Sequence, residues 1–298
     1  MKLRLFLSIT LTLCLVGSNL MGQEDSITIR GDYNPNSVRP VRTEDIMFRM
    51  RVWSWMDLRE KVNSRWNAQG NEIVKLLLEG AMDEIDGITA YKADSVRNPE
   101  GDFRDEDIIT PQQVEARMLI PVEDTGDLGG MSLDELLGPG LGLGGAEDSI
   151  GNSGNQEASP FYQSDEILLL ELCEDFIIDK RRSRGYWDIQ SISLVLNPTQ
   201  TRAGTTAIIA RFRYKDIVAY LKKYPKKAKW YNASNPAQKI SFSEAFDLRM
   251  FDSRPIRYSN PNNGRIEDVE GVQGLNAILA SQRFKNKLLE YEHNLWEY

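Results

Sequence analysis

The chain has 298 residues, 41% of them apolar, and its 44 acidic and 36 basic side chains give a formal charge of −8 at pH 7. That composition supplies a sizeable core and argues against general nucleic-acid binding, which draws its affinity from neutralising phosphates. One histidine and two cysteines cannot build the nitrogen and sulfur cages of a structural zinc site.

Residues 1–22 open with Lys2 and Arg4 ahead of an apolar run over 5–16, and Gly17, Ser18 and Gly22 offer small residues for a cut before Gln23. The run is shorter than the roughly 18 residues of a membrane helix, so it reads as an export signal. Leu13 stands before Cys14, where a lipoprotein signal wants a small residue, so lipidation is not expected. Cleavage removes Lys2 and Arg4, taking the charge from −8 to −10, and leaves Cys173 as the single cysteine. No internal disulfide can then form, and the thiol is expected to be buried in an apolar strand.

Residues 23–125 read as the helix-rich part of a core domain. Thr43 and Asp45 are placed to cap a helix whose stripe is Ile46, Met50, Trp53, Val62 and Trp66, with Met56 and Leu58 broadening it. A second helix is predicted over 71–86 from Ile73, Leu76, Leu77, Ala81 and Ile85, then a short strand over 88–93. Thr110 followed by Pro111 starts another short helix. Residues 126–160 form a glycine-rich insert that reads as a flexible linker, with one helical turn expected over 131–137. No Lys-Ser/Thr pair follows its glycines, so they do not read as a phosphate cradle.

Over 161–298 the period changes to two. Strands are predicted over 166–179, 186–196 and 205–214, and a helix from Asp216 carries Ile217, Val218, Tyr220 and Leu221. Ser241 with Glu244 reads as a capping box for a helix through Phe251. A last helix from about residue 272 is expected to bury Leu275, Ile278, Leu279, Leu288, Leu289 and Leu295. The class is α+β: an antiparallel sheet with segregated helices and a long C-terminal helix.

No catalytic, cofactor or metal site is read from the residues. His293 sits beside Glu292 near a helix end, where a cation is favoured by the helix dipole. Asp102, Asp105, Glu106 and Asp107 lack the spacing and turn glycine of a calcium loop. Two basic segments are more informative: Lys180, Arg181, Arg182 and Arg184 in a turn, and Lys222, Lys223, Lys226 and Lys227 beside Tyr224, Trp230 and Tyr231. In an acidic chain, concentrated positive charge next to aromatics suits docking to an acidic protein face, such as the next copy of the chain.

Four blocks carry a family likeness. Residues 284–298 read Phe-Lys-Asn-Lys-Leu-Leu-Glu-Tyr-Glu-His-Asn-Leu-Trp-Glu-Tyr, and 53–63 read Trp-Ser-Trp-Met-Asp-Leu-Arg-Glu-Lys-Val-Asn. Residues 174–183 (Glu-Asp-Phe-Ile-Ile-Asp-Lys-Arg-Arg-Ser) and 242–251 (Phe-Ser-Glu-Ala-Phe-Asp-Leu-Arg-Met-Phe) complete the set. In this order they resemble the GldN/PorN family of Bacteroidetes gliding-motility and type IX secretion proteins; the glycine-rich stretch falls outside the match. The resemblance implies a non-enzymatic periplasmic subunit that forms a ring with an outer-membrane lipoprotein partner of GldK/PorK type. It also implies contact with the periplasmic part of a GldM/PorM-type motor, which makes the two basic segments, with Trp230, Tyr231, Trp296 and Tyr298, candidate contact residues. A periplasmic carboxylate-based glycan hydrolase and a soluble glycan-binding module are the alternatives, because 44 acidic residues neither single out nor exclude a catalytic pair.

Overall fold

The computed structural model describes residues 33–294, apart from 95–96, 121–160, 202–203, 233–234, 236 and 239. The expected export signal, the glycine-rich insert with its expected turn, and Leu295, Trp296 and Tyr298 lie outside the described residues.

The centre of the molecule is a seven-stranded antiparallel sheet. In spatial order it runs β11 (Arg254–Tyr258), β1 (Ile46–Asp57), β6 (Leu169–Asp179), β7 (Arg184–Leu196), β8 (Ala207–Arg213), β4 (Ala90–Tyr91) and β5 (Ile108–Ile109). Two-stranded ribbons β2 (Asn67–Ala68) with β3 (Asn71–Glu72), and β9 (Lys229–Trp230) with β10 (Ile240–Ser241), lie apart from it. The period-two segments became β6, β7 and β8, each within a few residues of the reading.

The first predicted helix is the principal correction. Residues 46–57 form the long strand β1, and only Asn63–Trp66 coil, as a short 3-10 turn. The apolar residues of this segment fit a period of two as well as one of 3.6, and pairing decides: β1 hydrogen-bonds β6 along most of its length and β11 on its other edge. Val62, assigned to the stripe, is exposed, whereas Val52 and Met56 are buried.

The pairing register sorts side chains onto two faces. Val52, Met56, Leu170, Leu172, Phe176, Ile192, Leu194 and Phe212 share one face, and it carries both apolar clusters found among the described residues. Against it pack α1 (Ile73–Met82), α2 (Pro111–Arg117), α3 (Tyr214–Lys223) and α4 (Phe242–Asp247) at one end, and α5 (Ile266–Glu270) and α6 (Leu275–Asn294) at the other. Thr110 caps α2 through a reciprocal capping box with Gln113. Trp66 packs among Phe242, Phe246 and Phe251, with ring centroids 4.2–6.2 Å away, and its indole N–H donates to the Met250 carbonyl at 3.1 Å. The buried Asn63 joins the same two chain segments through the backbone of Asp57 and Asp252.

Several helix boundaries and faces differ from the reading. The helix predicted over 71–86 is α1, two residues of its expected start pair as β3, and Ile85 beyond its end is 93% exposed. The helix at Ser241 stops at Asp247; Ser241 accepts from the Glu244 N–H, without the reciprocal bond of a capping box, and Arg249 takes a positive φ of 51°. The last helix turns the other way about its axis. Ala277, Ala280, Ser281, Phe284 and Leu288 are buried, while Leu275, Ile278, Leu279 and Leu289 face outward.

Candidate interaction surfaces and an arginine-lined cavity

The basic turn joins β6 to β7. The carboxylate of Asp179, which is buried, accepts from the backbone N–H groups of Arg181 and Arg182, and Ser183 takes a φ of 49° to close the turn. At the base of the turn, Gly185 donates its N–H to Glu292 of α6 at 3.1 Å, and a Cβ there would press on Phe176 and Glu292. Lys180, Arg181, Arg182 and Arg184 are all exposed, with Arg182 3.6 Å from Asp179. The turn is therefore a pre-shaped basic projection.

The second basic segment follows α3. Lys223 pairs with Asp86 at 2.8 Å and Lys227 with Glu79 at 2.9 Å, so both tie this segment to α1 and its following turn. Lys222 and Lys226 are exposed and make no ion pair among the described residues. Trp230 does not present its ring to solvent: it is 3% exposed, in β9, with Arg65 over it at 5.3 Å. Burial inside the apolar cluster accounts for that tryptophan, and only Tyr231 beside it stays open.

A further surface was not legible as one. Leu275, Ile278, Leu279 and Leu289 are spaced by three, four and fourteen residues, which places them on one side of α6, opposite the side that packs on the sheet. This long helix thus has two apolar faces, one covered and one open. An exposed apolar stripe of this kind is the ordinary signature of a protein contact.

The sheet's other face is polar. Arg51, Trp53 and Trp55 of β1 share it with Glu171, Cys173 and Asp175 of β6 and with Arg211 and Arg213 of β8. Arg51 holds the fully buried Asp175 through two N–H donors at 2.7 and 3.1 Å and donates to the Glu100 carbonyl at 2.5 Å. Arg211 donates to the Asp102 carbonyl at 2.8 Å, and the two arginines together clamp the loop through Gly101 onto this face. Gly101 has a φ of +72°, and a Cβ there would lie 3.1 Å from Arg211 Nη1, so the close approach requires glycine. Cys173 is buried as expected, and burial pushes its thiol up to about 12, which leaves it inert.

Beside the loop lies a cavity of about 430 Å3, walled by Trp53, Trp55, Glu171, Arg211, Arg257 and Arg265 among others. The Arg257 guanidinium stacks on Trp53 at 3.7 Å, and Arg265 lies over Trp55 at 5.4 Å. Burial lowers the basicity of Arg211 and Arg257 and raises the Glu171 carboxyl above its ordinary range. None of these residues was singled out from the sequence. The available signal was charge at alternate strand positions, Glu171 with Asp175 and Arg211 with Arg213, opposite an apolar set.

Among the described residues, no cluster of histidine, cysteine and carboxylate side chains is arranged to hold a metal ion, and no helix is long and apolar enough to cross a membrane. A family model described as gliding motility associated protein GldN matches residues 41–297. The chain belongs to the GldN family. No curated protein matches it. GldN-family membership makes the chain a component of the gliding-motility and type IX secretion machinery, a class of structural components and not an enzyme family. The match spans every element of the sheet and both faces just described.

Proposed function

We propose that the protein is a non-enzymatic periplasmic subunit of that machinery, assembling into a ring with an outer-membrane lipoprotein of GldK/PorK type and touching a GldM/PorM-type motor. The observation that carries this reading is the family match over residues 41–297. The export signal of residues 1–22 supports the compartment. A closed ring needs heterologous contacts, one patch meeting a different patch on the neighbour. In an acidic chain, the basic turn at Lys180, Arg181, Arg182 and Arg184, and the open cations Lys222 and Lys226, suit contact with the acidic surface of the next copy. Tyr231 lies beside the second of these, and Trp296 and Tyr298 remain proposed contacts at the C-terminal end.

The outward stripe of α6 takes a different partner in this scheme. Permanent interfaces are more apolar than transient ones, so Leu275, Leu279 and Leu289 are assigned to the lipoprotein. Co-purification of the chain with that partner tests the assignment. Replacing the three leucines with glutamine should abolish co-elution of a large complex while the monomer keeps its circular dichroism and melting temperature. Charge reversal at Arg181 and Arg184 should lower the yield of closed rings without releasing the lipoprotein. Intact rings from both variants, or turnover of a glycan abolished by one carboxylate substitution, would overturn the reading.

A further inference from the structure

The cavity on the polar face of the sheet is lined by the guanidinium groups of Arg211, Arg257 and Arg265 and by the carboxylates of Asp94, Glu171 and Asp268. Arg211 is 5% exposed, and its Nε–H has no acceptor among the described residues, although its Nη2 is satisfied by the Asp102 carbonyl. The buried indole N–H of Trp55 also lacks a hydrogen bond of normal geometry, though it lies close enough to Glu171 to favour that carboxylate. Both side chains line the same cavity. Arg257, on edge strand β11 of the same sheet, spends one Nη1–H on Asn263 at 2.9 Å and has no carboxylate within ion-pair distance among the described residues. Arg265 is already engaged, by Glu267 at 3.4 Å and the Thr206 hydroxyl at 3.3 Å.

A buried donor without an acceptor, such as the Arg211 Nε–H, is costly, and native structures satisfy such groups. A cavity of about 430 Å3 far exceeds the room for a bridging water and matches the size of small-ligand sites. Guanidinium groups select flat or tetrahedral oxyanions by paired N–H donors. Glu171 adds a second requirement. Its carboxylate stands on the same wall, near the Trp55 indole N–H and the Arg257 guanidinium, where it can also accept from a donor on a ligand. The two tryptophan faces are occupied by arginine, which removes the open aromatic platform that a neutral sugar would stack on.

We propose that this cavity binds a small oxyanion, a carboxylate or phosphate seated between Arg211 and Arg257, on a ligand that also carries a hydroxyl or ammonium donor for Glu171. Nothing in the assembly role described above requires such a ligand, and the site lies on the face of the sheet opposite α6 and its leucine stripe. It gives the subunit a small-molecule input of its own.

Isothermal titration of the full mature chain with phosphate, succinate, malate and aspartate tests the proposal. Saturable binding is expected, with malate or aspartate several-fold tighter than succinate because each adds a donor to the same carbon chain. Arg257→Gln should weaken every probe by roughly tenfold, the scale of one lost charge-assisted contact. Glu171→Leu, which removes the acceptor, should erase the preference for malate and aspartate over succinate, which a merely structural role would leave unchanged. Lys75→Gln, removing one exposed charge on α1, should leave all four affinities unchanged. Should Arg257→Gln fail to fold, as judged by circular dichroism, Arg257→Lys, which keeps the charge and loses the paired N–H donors, replaces it with a loss in the same direction. Tighter phosphate than carboxylate binding assigns the site to phosphate esters, and the reverse order to carboxylates. Absence of saturable binding by all four probes at millimolar concentration, or affinities unchanged by the arginine substitution, would overturn the proposal.

Discussion

The two faces of the central sheet are held by different physics. On the helix-covered face, Met56, Leu170, Leu172, Ile192 and Phe212 interlock with α1, α2, α3 and α4, and stability there comes from removing apolar surface from water. On the opposite face, Arg51 with Asp175, Arg211 over Phe103 at 4.8 Å and Arg257 over Trp53 do the equivalent work with charge, hydrogen bonds and ring stacking. The apolar face tolerates volume-conserving changes, because dispersion and burial have little directionality. The polar face does not, because each buried charge depends on one partner in one geometry. An assembly subunit gains from the combination: the helix side supplies contact surface, and the sheet side supplies a fixed pattern of charge.

The largest effect is expected on the apolar side. Trp66→Ala should destabilise the fold by about 4 kcal/mol in chemical denaturation, because it removes the ring that three phenylalanines surround and leaves a cavity. On the polar side, Arg51→Met alone should cost about 3 kcal/mol by stranding the buried Asp175 carboxylate. Arg51→Met combined with Asp175→Leu should recover much of that loss, and a double variant as unstable as the single one would erase the distinction between the faces.

The sheet can also be probed by pH. Burial, opposed by hydrogen bonds from Ser37 and Gln190, pushes the Asp188 carboxyl up to about 6 from an ordinary 3.8. The folded state therefore holds this proton more tightly than the unfolded chain. The contribution of Asp188 to stability is fully present below about pH 4, is lost as pH rises through about 6, and is flat above. Asp188→Asn should remove that slope and raise stability at neutral pH by about 2 kcal/mol, read from denaturation curves between pH 4 and 8.

The smallest effects separate the two sides of α6. Leu288 is buried and its chain neighbour Leu289 is 63% exposed. Leu288→Ala should cost about 2 kcal/mol, whereas Leu289→Ala should stay within about 0.5 kcal/mol and change only partner binding. Equal losses at both positions would mean that the helix packs differently.

How much of this was legible varied with the source of the signal. Strands β6, β7 and β8 declared themselves by alternation, and α1, α2 and α3 by helical spacing and the Thr110 cap. The basic turn was legible because four cations flank a serine and a glycine between two strands. Segment 46–57 misled because its apolar spacing satisfied two periods at once, and the choice lay with β6 and β11, more than a hundred residues away. The outward face of α6 misled because both of its stripes are apolar, so composition could not say which one the sheet would cover.

The sequence by itself determined the class, the antiparallel hairpin at the centre, the acidic balance with its basic projections and the family, because these follow from local periodicity, charge and residue blocks. Only the tertiary structure decided the character of β1, the exposure of the α6 leucines, the burial of Trp230 and the gathering of Glu171, Arg211, Arg257 and Arg265 around one cavity. Those features depend on residues far apart in the chain meeting across strands, and no local pattern encodes which distant partner a side chain will face.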